Sequence, residues 1–110
     1  MKTVLLKRVT IIGDNTVQYR IVEELQSLGA LGYTWYPVHG KGHHGVLPRH
    51  GEPGDTKIEA IASPKVANRI LEYIAEHYFD NYAMIAFLDD VEVLPGENGA
   101  RLPEQPGKQP

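Results

Sequence analysis

The chain reads as an α+β domain, a ferredoxin-like βαββαβ sandwich with one long loop between its second and third strands. Three observations predict this. Segments of strand and helix periodicity alternate in the order β-α-β, loop, β-α-β. Each half carries its own helix start and stop signals. The regular pattern is interrupted from His39 to Asp55, a stretch of 17 residues with five glycines, two prolines and no apolar repeat.

Val4 to Ile12 is rich in aliphatic and β-branched residues and reads as the first strand, with Leu5, Val9 and Ile11 on one face and Leu6 and Ile12 on the other. Gly13-Asp14-Asn15 breaks it. Asn15, followed three residues later by Gln18, has the form of an N-cap and capping box. Val17, Ile21, Val22, Leu25 and Leu28 follow at helical spacing, and Gly29 suits the position after the helix. Gly32 to Val38 is the second strand and Lys57 to Ala62 the third. Ser63-Pro64 starts a second helix, with serine as N-cap and proline in the first turn. Its apolar stripe is Ala67, Ile70, Leu71, Ile74 and Tyr78, and Asp80-Asn81 turns the chain into a fourth strand, Tyr82 to Leu94. Residues 1–94 are thus the folded domain. Residues 95–110, with four prolines and three glycines, read as a flexible tail that orders only against a partner or ligand.

Composition narrows the function. The chain has 110 residues, 42% hydrophobic, a net charge of -3 and a sequence pI of about 5.9. That is one domain, small enough that association with copies of itself would add stability, and it has no overall basic field to recruit nucleic acid. Cysteine is absent, so disulfides, thiolate metal sites and thiol catalysis are excluded. No apolar run approaches the roughly 18 residues of a membrane span, and the N-terminus carries no signal-peptide core. A soluble cytoplasmic protein is expected.

The fourth strand is apolar on both faces: Ala83, Ile85 and Phe87 alternate with Met84, Ala86 and Leu88. Helices cover only one face of a four-stranded sheet of this kind, and a face left to water should be polar. The sequence therefore asks for a second cover. Other copies of the chain would supply it, and the alternative is the tail.

The interrupting loop carries the chemistry. His39 to His50 reads HGKGHHGVLPRH, with Lys41, Arg49, four of the five histidines and no carboxylate. Gly40 and Gly42 flank Lys41, so the backbone can turn its N–H groups toward a ligand while lysine adds a point charge. A phosphate or another small anion fits. Gly-Lys-Gly alone is a short motif, and it is not a P-loop; an ordinary solvated loop is the plain alternative. Its length argues for function, because unpatterned loops beyond about 12–15 residues are uncommon in compact domains. His39, His43, His44 and His50 also suggest a histidine metal module, but their spacing matches no established zinc pattern, and no metal site is assigned. Asp89 and Asp90 point to opposite faces of a strand and do not converge. Glu59 reads as solvated and His77 as a surface residue. No nucleophile is paired with a base by spacing, so no catalytic residue is assigned and an enzyme is not expected. An acylphosphatase-like hydrolase on the same fold would need an arginine after the first strand, where Gly13-Asp14-Asn15-Thr16 has none.

Four stretches then stand in a recognisable order: Gly29-Ala30-Leu31-Gly32-Tyr33-Thr34, Gly40-Lys41-Gly42, Tyr78 to Ala83, and Val91-Glu92-Val93-Leu94. With the topology, they resemble the PII signalling superfamily across Val4 to Leu94, and most closely its PII-like branch linked to bicarbonate transport and carboxysomes. The resemblance implies a homotrimer that binds adenine nucleotide between subunits. The long loop is that family's T-loop. Thr34 would lie near adenine or ribose, and Gly40, Lys41 and Gly42 would cradle phosphate. His43, His44 and Gly45 would also reach the nucleotide, and Asn81, Tyr82 and Ala83 would close the cleft. Bicarbonate is implied as a second anion, with Lys41, Gly42 and Arg49 as its candidate contacts. The implied ligands are ADP or AMP, then ATP or cyclic AMP, with no obligatory cofactor. The implied partner is a target protein such as a bicarbonate transporter, with no nucleic acid and no membrane insertion.

This chain also departs from the family pattern. Residues 39–56 hold no tyrosine, so uridylylation is not expected. Asp80-Asn81 replaces the glycine-rich loop before the fourth strand, and the arginine-bearing C-terminal segment is not recognisable. The resulting weaker positive charge favours ADP or AMP over ATP. The arginines that transport-linked relatives carry in the loop are replaced by His44 and Leu47, with Arg49 shifted, and with no C-terminal cysteines no redox switch is expected.

Overall fold

The structure, a computed structural model, describes residues 2–39 and 54–96. Strand β1 is Val4–Asp14, followed by a single 3-10 turn, Asn15–Val17, and helix α1, Gln18–Leu28. Strand β2 is Gly32–Val38, β3 Asp55–Ala62, helix α2 Pro64–Tyr78 and β4 Met84–Val93. The sheet order is β2-β3-β1-β4 and every pair is antiparallel. This is the expected α+β, ferredoxin-like βαββαβ arrangement. The tail from residue 97 onward, like residues 40–53 of the loop, lies outside the described residues.

Three element starts differ from the sequence expectation, and the simplest is β3, which begins at Asp55, two residues before Lys57, because Asp55 and Thr56 pair with both neighbouring strands. Gly13 and Asp14 do not break β1 but stay in it, paired with Met84, Thr56 and Asp55. The cap consequently moves one residue upstream: Asp14 Oδ1 accepts from the Thr16 N–H at 2.9 Å. Asn15 and Gln18 do not form a capping box. Gln18 instead buries its side chain, and its Oε1 accepts from Thr56 Oγ1 at 3.4 Å. At the other end, β4 begins at Met84 and not at Tyr82. The Asn81 and Tyr82 N–H groups both turn back to the Tyr78 carbonyl, at 3.2 and 3.0 Å, which holds Tyr82 on the end of the helix and out of the strand.

The remaining signals hold. Gly29 has φ 108°, and the bonds Gly29 N to Gln26 O (3.2 Å) and Ala30 N to Leu25 O (2.9 Å) close α1 in a Schellman motif. Ser63 Oγ caps α2 through the Val66 N–H at 3.2 Å.

The core lies between the helices and one sheet face. It joins Val9 and Ile11 of β1 and Ile58 and Ala60 of β3 to Ile21 and Leu25 of α1, and to Ile70 and Ile74 of α2. Leu5 shares that strand face but extends past the helices and is exposed. Leu71 is only half-buried, packed at the margin of the core. The other sheet face has no helix over it. There Ile85 and Phe87 are exposed, and Ile12, Ile61, Val91 and Val93 are half-buried.

Asp89 and Asp90 do point to opposite faces, and register gives each a partner. Arg8 stands opposite Asp89 and Lys7 opposite Asp90. Arg8 grips Asp89 with two donors, Nε at 3.1 Å and Nη2 at 2.7 Å, and Lys7 pairs with Asp90. The hydrogen bond from Arg8, with its charge, holds the Asp89 carboxyl below its ordinary value and raises Arg8. A carboxylate lowered on folding stabilises above its unfolded value and loses that contribution as pH falls through the folded one. Asp89→Asn should therefore lower the melting temperature at neutral pH, and the gap from the unaltered chain should close at acid pH. A gap that persisted in acid would mean that the pair does not stabilise through charge.

Candidate functional site

The long loop leaves and re-enters the fold at one end of the sheet. Val38 and Asp55 face each other across β2 and β3, and Asp14 pairs with Asp55 on the next strand. The Asn15 N–H donates to the Gly54 carbonyl at 3.3 Å, tying the start of the helical segment to the returning chain. Gly13 pairs with Met84 one strand further on, and a Cβ at Gly13 would meet the Ala83 carbonyl oxygen at 3.3 Å. The loop base, the turn into α1 and the entry to β4 are thus fixed together. Gly40, Lys41, Gly42, His43, His44, Gly45 and Arg49, the predicted phosphate and bicarbonate contacts, lie outside the described residues, as do Leu47 and His50. His39 is described and exposed.

The predicted site residues that are described do not converge within one chain. Thr34 sits on β2, at the sheet edge, opposite Glu59. Asn81, Tyr82 and Ala83 precede β4, at the far edge. Three strand spacings and four residues along the strand separate them, about 14 Å by 13 Å. Thr34 and Asn81 are exposed, and Tyr82 packs against the core. Glu59 is half-buried, with Lys57 Nζ at 3.6 Å and the Tyr36 hydroxyl at 3.4 Å from its Oε2.

Asn81 and Tyr82 line a groove of about 440 Å³ between α1 and α2. Arg20, on α1, donates from Nη2 to the Tyr82 hydroxyl at 3.1 Å, and its guanidinium stands 5.8 Å from the centre of the Tyr78 ring. Across the groove His77 stacks on Tyr73 with ring centres 3.9 Å apart, and its Nδ1 lies 2.9 Å from the Tyr73 carbonyl oxygen. Burial raises both Tyr73 and Tyr78, and Glu24 adds to the rise at each. The sequence reading placed His77 on the surface, where it is, but missed this cluster. The available signal was the spacing of Tyr73, His77 and Tyr78 on one side of α2, with Tyr82 continuing it. Among the described residues no three histidine or acidic side chains stand together to hold a metal, and no helix is long and apolar enough to cross a membrane.

A family model described as nitrogen regulatory protein P-II matches residues 6–98. The chain belongs to the P-II family. Among solved structures, a PII-like signalling protein from Thermus thermophilus is 42% identical, over 89% of this chain and 98% of that one, with a TM-score of 0.75. CPII from Thiomonas intermedia bound to ADP and bicarbonate is 26% identical, over 84% and 91% of the two chains, with a TM-score of 0.73. The same CPII bound to ADP, AMP and bicarbonate gives 25% identity over 84% and 91%, with a TM-score of 0.72. The P-II match runs from within β1 through β4 and covers every described element between them.

Proposed function

We propose that this P-II protein is a homotrimeric cytoplasmic sensor of adenine nucleotide, ADP or AMP, with bicarbonate as a second ligand. It works through its long loop on a target protein of inorganic-carbon uptake, such as a bicarbonate transporter, or one linked to the carboxysome, and it catalyses no reaction. The observation that carries the reading is the likeness, over most of the chain, to a CPII that holds ADP and bicarbonate. Two features of this chain support it. The apolar residues on the uncovered sheet face, Ile85 and Phe87 foremost, suit burial against other subunits. Thr34 and Asn81 to Ala83 lie on opposite sheet edges, where two neighbouring chains would bring them to one cleft. Gly40, Lys41 and Gly42 would cradle phosphate there, with His43, His44 and Gly45 following. Lys41, Gly42 and Arg49 would meet bicarbonate. Ligand would then order the loop and change its fit to the target, a switch between ordered and disordered states.

Calorimetry with ADP, AMP, ATP and cyclic AMP, each with and without bicarbonate, tests the ligand set. ADP or AMP is expected to bind most tightly, and Lys41→Ala should weaken that binding about tenfold, the worth of one charge-assisted contact, while the trimer persists. No heat from any nucleotide at millimolar concentration would end the proposal, and unchanged affinity in Lys41→Ala would remove Lys41 from the phosphate site.

A further inference from the structure

The groove between α1 and α2 differs in chemistry from an anion site. Arg20, Glu23 and Glu24 line it from α1, three and four residues apart and so on one helix face. At that spacing Arg20 and Glu24 would ordinarily pair. Instead the guanidinium reaches across to the Tyr82 hydroxyl and the Tyr78 ring, and among the described residues neither glutamate forms an ion pair with it. The two signs of charge are therefore held apart over one cavity of about 440 Å³, within the size range of small-molecule sites. Its far wall is the stacked Tyr73 and His77, inclined by 22°.

This arrangement selects by charge. A nucleotide or other plain anion would meet two carboxylates. A plain cation would meet Arg20. A neutral molecule would balance neither charge. A ligand with both signs satisfies the groove. Arg20 retains N–H donors beyond the one given to Tyr82, and guanidinium binds carboxylate well. Glu23 and Glu24 match an ammonium group, and the aromatic wall accepts a planar side chain.

We propose that this groove is a binding site for a free zwitterionic amino acid, its carboxylate on Arg20, its ammonium on Glu23 and Glu24, and its side chain against Tyr73 and His77. The site is complete within one chain and does not depend on the nucleotide reading. Calorimetry on the full chain without nucleotide, against each of the twenty free amino acids, tests it. At least one with a planar side chain should bind. Its N-acetylated form and its decarboxylated amine should each bind at least about tenfold more weakly, since each lacks one charged contact. Arg20→Met and Glu24→Gln should each weaken binding by a similar factor, with unchanged circular dichroism showing that the fold survives. No binding by any of the twenty at millimolar concentration would overturn the proposal. Equal binding of the acetylated and decarboxylated forms, or of both variants, would overturn it too.

Discussion

Phe87→Asp is expected to turn the proposed trimer into monomers and to abolish nucleotide binding with it. Phe87 stands in β4, opposite Thr10, on the sheet face without helices, and is 43% exposed in the single chain. Burying a phenylalanine side chain is worth roughly 1.5–3 kcal/mol. A trimer would lose, at each of its subunits, the share of that gained by covering the exposed part of the ring, and each would also have to remove a carboxylate from water. Ile85 lies two residues away on the same face, so the damage would fall within the exposed apolar surface. The substitution faces away from the core, so the monomer should keep its fold. Light scattering reads the mass, circular dichroism the fold, and calorimetry the nucleotide. A Phe87→Asp protein that still ran as a trimer would show that this face is covered in some other way.

Ile70→Ala should be a strongly damaging truncation of the fold itself. Ile70 is fully buried in α2, in the core shared with α1 and the sheet. Removing a buried aliphatic side chain of this size costs about 2–5 kcal/mol, partly in lost transfer free energy and partly in the cavity left behind. Against the roughly 5–15 kcal/mol total of a typical domain that is a large share. Urea titration followed by circular dichroism measures it. Because the proposed assembly would add to apparent stability, the comparison belongs at matched protein concentration, or in the Phe87→Asp background. A loss below about 1 kcal/mol would mean that α2 repacks around the gap.

Much of the fold is legible in the sequence because local and global signals agree. Gly32 to Val38 has the predicted bounds, Ser63 and Pro64 open α2 as expected, and the alternation in β4 separates core from uncovered face at the right residues. The errors arise where tertiary contacts decide between near-equal local options. Asn15 and Asp14 are both good caps, and the pairing of Gly13 and Asp14 with β3 and β4 chooses Asp14. Tyr82 suits a strand by propensity, but two backbone bonds to Tyr78 keep it out. The candidate site was harder to read. Asn81 and Tyr82 were singled out only through the family pattern, and nothing in the spacing alone links Arg20 to Tyr82, 62 positions away. Thr34 was placed in the same set, yet no sequence periodicity tells which edge of the sheet a strand will occupy.

That last placement has a consequence for stoichiometry. A pocket that needs both the β2 edge and the turn before β4 joins two unlike surfaces of neighbouring chains. Any closed symmetry that brings them together repeats the contact, and it then yields as many equivalent pockets as there are chains. In a three-membered ring no chain would be a spectator: every one would lend one edge to each neighbour, and saturation would require one nucleotide per polypeptide.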